Sequence, residues 1–190
     1  MSTNKTALIV LTDNFEEIEA VTPIDILRRA EVEVTIASRT ASLTVKGRTG
    51  IAIAADCLLE DALADGKVYD LVLLPGGPGH KALRGDARVI EIVQAQASAN
   101  RLLGAICAAP TVLKDAGVIE GRRITAHFSV KDELPNILEK EDVVKDGNII
   151  TSRGAGTAVP FALAFVEKLC GYERALKIAH AICTGIKSIP

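Results

Sequence analysis

The decapeptide Arg101–Pro110 (RLLGAICAAP) runs from a short apolar stretch straight into a cysteine, two alanines and a proline. The pattern reads as a buried strand, Leu102 to Ile106, that ends at Cys107 and turns. In an open parallel sheet the carboxyl ends of the strands border the ligand crevice, so Cys107 stands where a nucleophile is useful. A short helix after the turn would aim unpaired N–H groups and a positive dipole end at the sulfur, favouring thiolate over thiol. A second turn, Leu74–Gly79 (LPGGPG), leaves another apolar strand at the same edge. Its glycines let the backbone approach a ligand. The N–H of Gly77, with that of Ala108, is placed to receive an oxyanion formed when Cys107 attacks a carbonyl.

Two acid–base candidates accompany the thiol. Glu19 belongs to a run of carboxylates, Glu16, Glu17 and Glu19, just beyond the first strand. Helix-dipole complementarity accounts for Glu16 and Glu17. Glu19 differs because Pro23 lacks the N–H that would bond its carbonyl, which predicts a distorted backbone there. A glutamate tucked against a thiol in a partly dry pocket holds its proton more tightly and can pass it to and from a substrate. The expected arrangement is one proton shared by the pair, with the carboxyl keeping it and the Cys107 pKa depressed below that of an ordinary thiol. Of His80, His127 and His180, only His127 follows a strand-like segment (RRITA) at its carboxyl end. It is the candidate to orient or protonate the intermediate.

Positioning these residues requires alternating strands and helices. Ala7–Leu11 is a continuous apolar run of strand length, and Val32–Ala37 is a second strand. Between them lies a helix with Asn14 as cap, Glu17 three residues on, and Ile18, Val21, Ile24 and Leu27 at helical spacing. Leu43–Val45 and Ile51–Ala54 predict a hairpin around KGRTG, and Leu59–Leu63 a short helix. The strand Asp70–Leu74, the helix Ala87–Ala99 and the strand Leu102–Ile106 form a second βαβ unit, which delivers Cys107. Ile124–Ala126, Val143–Val144 and Ile149–Thr151 predict three further strands, and Thr157–Leu169 and Tyr172–Ile182 two closing helices. The fold expected is a single α/β domain over residues 1–190, with helices on both faces of a mostly parallel sheet.

Composition excludes several classes of function. A net charge of −2, with charged residues spread along the chain, gives no basic face for nucleic acid or anionic lipid. The four cysteines (Cys57, Cys107, Cys170, Cys183) lie far apart, which argues against a zinc site or a disulfide framework and fits reduced thiols in a cytoplasm. No apolar run has the length or flanks of a membrane span or signal peptide.

Taken jointly, TALIVL, EEIEA with Asp25 and Arg29, LPGG, AICAAP, ITAH with Lys131 and Asp132, and TSRGAGT resemble the ThiJ/PfpI superfamily. The branch they resemble includes the parkinsonism-associated protein deglycase. The resemblance implies a flavodoxin-like sandwich with the cysteine on a strained strand-to-helix turn. It implies Cys107 as nucleophile, Glu19 bonded to its sulfur, His127 nearby, and backbone amides from Gly77 and Ala108. A homodimer is implied too, with Arg48 reaching toward the neighbouring subunit's pocket to attract an anionic substrate or oxidised sulfur. The C-H-G of the peptidase-like branch is missing, since Ala108 and Ala109 follow Cys107, and so is the H-x-E pair of amidotransferase relatives. Two further departures bear on substrate preference: Ala155 where proline is usual, and Pro78-Gly79-His80 after LPGG. The expected activity is a glyoxalase or deglycase, acting on methylglyoxal, glyoxal or their adducts without metal or other cofactor. The alternative is a redox-sensing or chaperone-like protein with an oxidisable thiol.

Overall fold

Every residue from Ala7 to Leu11 is apolar and fully buried, as a strand covered on both faces requires. In the computed structural model, which describes residues 5–190, this segment lies in β1 (Thr6–Leu11). The chain continues through α1 (Glu17–Arg29), β2 (Glu33–Ser38) and a separate antiparallel hairpin of β3 (Thr44–Lys46) and β4 (Ala52–Ala54). Next come β5 (Cys57–Leu58), α2 (Leu59–Ala62), β6 (Leu71–Leu74), α3 (His80–Arg84), α4 (Ala87–Ser98) and β7 (Leu102–Ile106). It closes with α5 (Pro110–Asp115), β8 (Val143–Asp146), β9 (Ile149–Ser152), α6 (Ala158–Cys170) and α7 (Tyr172–Ala181).

Seven strands form one sheet in the order β5-β2-β1-β6-β7-β9-β8, parallel except where β8 pairs antiparallel with β9. Alternation along β1 sends Ala7, Ile9 and Leu11 to one face, with Leu27 of α1 and Phe161 and Phe165 of α6. Leu8 and Val10 go to the other, with Val89 and Val93 of α4 and Val112 of α5. The α/β class is as the sequence implies. Because β1, β6, β7 and β9 are parallel neighbours, the loops after Leu11, Leu74, Ile106 and Ser152 leave a single edge of the sheet. Among the described residues no helix is long and apolar enough to cross a membrane.

Some local expectations fail, for physical reasons. Ile124–Ala126 is not a strand. Its backbone bonds go to scattered partners, Thr125 N–H to the Thr151 hydroxyl (2.9 Å) and Leu138 N–H to the Ile124 carbonyl (2.8 Å), and no ladder forms. Asn14 does not cap α1 but takes a left-handed turn (φ +63°), and Glu16 caps the helix by accepting the Glu19 N–H at 2.8 Å. Nor does Pro23 distort Glu19, since α1 runs through it from Glu17 to Arg29.

Candidate active site

Cys107 occupies the left-handed region with φ +65°, a conformation that costs a side-chain-bearing residue about 1–3 kcal/mol and persists only where the surroundings enforce it. The enforcement is visible on both sides of the residue. Its N–H donates to the Ser152 carbonyl at the end of β9 (2.9 Å), and its carbonyl accepts the His127 N–H (2.8 Å). Gly76 clears the space in front of it. A Cβ there would stand 2.7 Å from both the Cys107 Cβ and Glu19 Oε2, so any larger residue would part the pair.

Glu19 is 1% exposed, and its Oε2 accepts the Gly76 N–H at 2.9 Å. Burial pushes its carboxyl up to about 7. The hydrogen bond with Cys107, the Gly76 N–H and the Arg48 cation pull it down, while the Glu16 charge adds to the rise. The Cys107 thiol is pushed up to about 12, first by burial and then by the charge and hydrogen bond of Glu19. The Gly77 and Ala108 N–H groups face the sulfur and offset this only in part. Burial and the Glu19 charge thus work against the depressed thiol that the sequence leads one to expect. The helix after the cysteine, α5, has six residues and starts only at Pro110, so two amides oppose both desolvation and a neighbouring carboxylate. Burial disfavours charge on both groups, and the two titrate as one coupled pair with Glu19 as the acid–base member beside the sulfur.

His127 joins the group through its backbone bond to Cys107. The Ser129 N–H donates to its Nδ1 (3.2 Å), which leaves Nε2 to carry the proton of the neutral ring. Burial, and then the Arg48 charge, lower its pKa and keep it neutral. A Cβ on Gly154 would lie 3.5 Å from His127 Cδ2 and 3.8 Å from Glu19 Oε1, so this glycine lines the gap between the two side chains. A cleft of about 420 Å³ opens there, walled by His127, Phe128, Glu139, Arg153 and Gly154. His80, buried, has Nδ1 2.9 Å from the Gly77 carbonyl and braces the glycine turn. Arg48 lies near its own chain's site, since its charge acts on that chain's Glu19 and His127. Among the described residues no group of three or more His, Cys, Asp or Glu is arranged to hold a metal ion.

The profile of the DJ-1/PfpI family matches residues 5–168. The chain belongs to this family. It is 42% identical over 182 residues to Protein DJ-1alpha of Drosophila melanogaster, covering 94% of this chain and 83% of that one. It is 36% identical over 187 residues to glutathione-independent glyoxalase DJR-1.2 of Caenorhabditis elegans, covering 96% and 98%. The crystal structure of Drosophila melanogaster DJ-1beta superposes with a TM-score of 0.92 at 38% identity, covering 97% of this chain and 100% of that one. Sequence reasoning brought Cys107, Glu19, His127, Gly77 and Ala108 of this DJ-1/PfpI chain together. It passed over Gly76 and Gly154, whose signals were the first glycine of the PGG turn and the first glycine of TSRGAGT, and the separate tasks of Glu16 and Glu17.

Proposed function

We propose that this protein is a cofactor-independent glyoxalase with Cys107 as nucleophile, acting on methylglyoxal, glyoxal or their early adducts. The observation that carries the reading is a thiol on a strained left-handed turn, hydrogen-bonded to a carboxyl that is 1% exposed and that burial makes a better base. As Cys107 Sγ bonds to the aldehyde carbon of methylglyoxal, the thiol proton passes to Glu19 and the carbonyl electron pair moves onto oxygen. The Gly77 and Ala108 N–H groups receive that oxygen, and Glu19 returns the proton to it, giving a hemithioacetal. Glu19 then removes the hydrogen from the thiol-bearing carbon while His127 Nε2–H supports the neighbouring oxygen as an enediol forms. Returned to the adjacent carbon, the proton leaves a lactoyl thioester, and water releases lactate and the free thiol. The Arg48 guanidinium favours the developing negative charge. The working unit is a homodimer, and adducts of amines or thiols with these aldehydes enter by the same attack on carbon.

A redox sensor would need a standing thiolate. Burial and Glu19 both disfavour one at Cys107, whereas attack on a carbonyl needs charge on sulfur only while the thiol proton passes to Glu19. Purified protein given methylglyoxal without glutathione should release many equivalents of lactate per chain, and Cys107→Ala none. The rate should climb as pH rises through about 7, where Glu19 loses its proton, and this limb should be absent from Glu19→Gln. Lactate release that stops at one equivalent would overturn the proposal.

A further inference from the structure

We propose that Glu17 is a positioning residue: through Thr49 it fixes the hairpin turn from which the Arg48 charge acts on Glu19 and His127. The inference rests on the catalytic reading above for its consequence, and on the geometry of the β3–β4 turn for its mechanism. Glu17 is 6% exposed, and its Oε1 accepts both the Thr49 N–H (2.7 Å) and the Thr49 hydroxyl (2.5 Å). Its Oε2 is buried without a hydrogen-bond partner among the described residues. Burial works to raise this carboxyl, but the Thr49 hydroxyl and N–H outweigh it and hold it below the usual range. An ionised, half-partnered carboxylate is an expensive way to fasten a surface hairpin. Its placement suggests a tighter requirement than adhesion.

The turn has no freedom on either side of that anchor. Asn14 N–H donates to the Lys46 carbonyl (2.8 Å), Lys46 N–H to Asp13 Oδ1 (2.9 Å) and Arg48 N–H to the Phe15 carbonyl (2.9 Å). Gly47 must be glycine, because a Cβ there would run into the Glu17 carboxyl. The turn is thus bonded to the same helix start that carries Glu19, with Arg48 bracketed by its own bond to Phe15 and its neighbour's bonds to Glu17. Arg48 is exposed, and the backbone bonds of Arg48 to Phe15 and of Thr49 to Glu17 set where its side chain leaves the turn. Glu17 and Glu19, two residues apart on α1, face different ways: one grips the hairpin, the other the thiol.

The test reads His127 directly, so its outcome does not depend on turnover. The charged or titratable groups around that ring are Arg48 from the hairpin, Glu19 from α1, Cys107 after β7, and Glu139 and Arg153 across the cleft. Titration of His127 by NMR should give an upward shift of about half a unit in Arg48→Gln, the scale of one partly screened charge. Thr49→Val and Glu17→Ala should shift it the same way, Thr49→Ser should restore the wild-type value, and Arg48→Gln with Thr49→Val should shift no further than Arg48→Gln alone. A wild-type His127 titration in folded Thr49→Val, or additive shifts in the double variant, would overturn the proposal. If the His127 shifts appear while methylglyoxal is not consumed by the wild type, the positioning stands and the catalytic reading falls.

Discussion

Three carboxylates within four residues do three different things, and only their surroundings separate them. Glu16 caps α1, Glu17 grips the hairpin, and Glu19 lies buried against Cys107. For Glu19 the consequence extends to stability. Its folded-state value of about 7 lies above the ordinary 4.5, so the protonated carboxyl favours the fold. That contribution is complete below the unfolded value and is lost as pH rises through about 7, because the buried site resists ionisation. Glu19→Gln cannot ionise and keeps an acceptor for the Gly76 N–H. It should therefore be more stable than the wild type at pH 8 by up to about 3 kcal/mol, with the difference vanishing near pH 4. Thermal unfolding at the two pH values checks this, and an equal difference at both would mean that Glu19 ionises freely in the folded protein. A variant that gains stability while losing turnover is what a functional site built on a strained, desolvated pair should give.

At the scale of elements, β7 matters most because it ends at the nucleophile, and its position depends on one missing side chain. A Cβ on Gly104 would meet Phe165 Cζ of α6 at 2.6 Å and Leu73 Cγ of β6 at 3.2 Å. Phe165 cannot easily move, being fully buried and edge-on to Phe161 with ring centroids 4.9 Å apart. Gly104→Ala should cost about 1–3 kcal/mol in urea unfolding, and Phe165→Leu in that background should recover part of it. Unchanged stability in the single variant would show that the strand and helix are not in tight contact. This contact could not be read from RLLGAIC, although the strand could. The apolar runs of β1, β6 and β7 were legible because each is buried on both faces, whatever its partners. β5 was not legible, since its two residues pair only with Ala37 and Ser38 of β2, and tertiary placement makes it a strand. The segment before His127 misled in the opposite direction. Ile124 and Ala126 are as buried as strand residues, but the Thr125 N–H between them goes to a side-chain hydroxyl and the Ile124 carbonyl to a distant loop. His127 still reaches the site because its N–H bonds the Cys107 carbonyl, a long-range link that no local pattern encodes.

For the whole molecule, the question is what covers the outer face of α1. Seven of its thirteen residues are buried, yet Ile18 is 53% and Val21 47% exposed, three residues apart on one face. Ile51, just before β4 in the hairpin that Glu17 anchors, is 58% exposed. Scattered apolar surface is ordinary, but a pair at helical spacing on the helix that carries Glu19 is a surface a second copy can bury. A net charge of −2 opposes such pairing only weakly. Light scattering at micromolar concentration should therefore report twice the 20.1 kDa chain mass. Replacing both Ile18 and Val21 by Glu places two like charges on each copy of that face and should return the single-chain mass. Leu43→Glu, equally exposed at 48% but outside α1, should leave the pair intact. A wild-type protein of single-chain mass would sink the homodimer, whereas a dimer indifferent to the Ile18 and Val21 changes but split by Leu43→Glu would move its interface off α1 and onto the segment leading into β3.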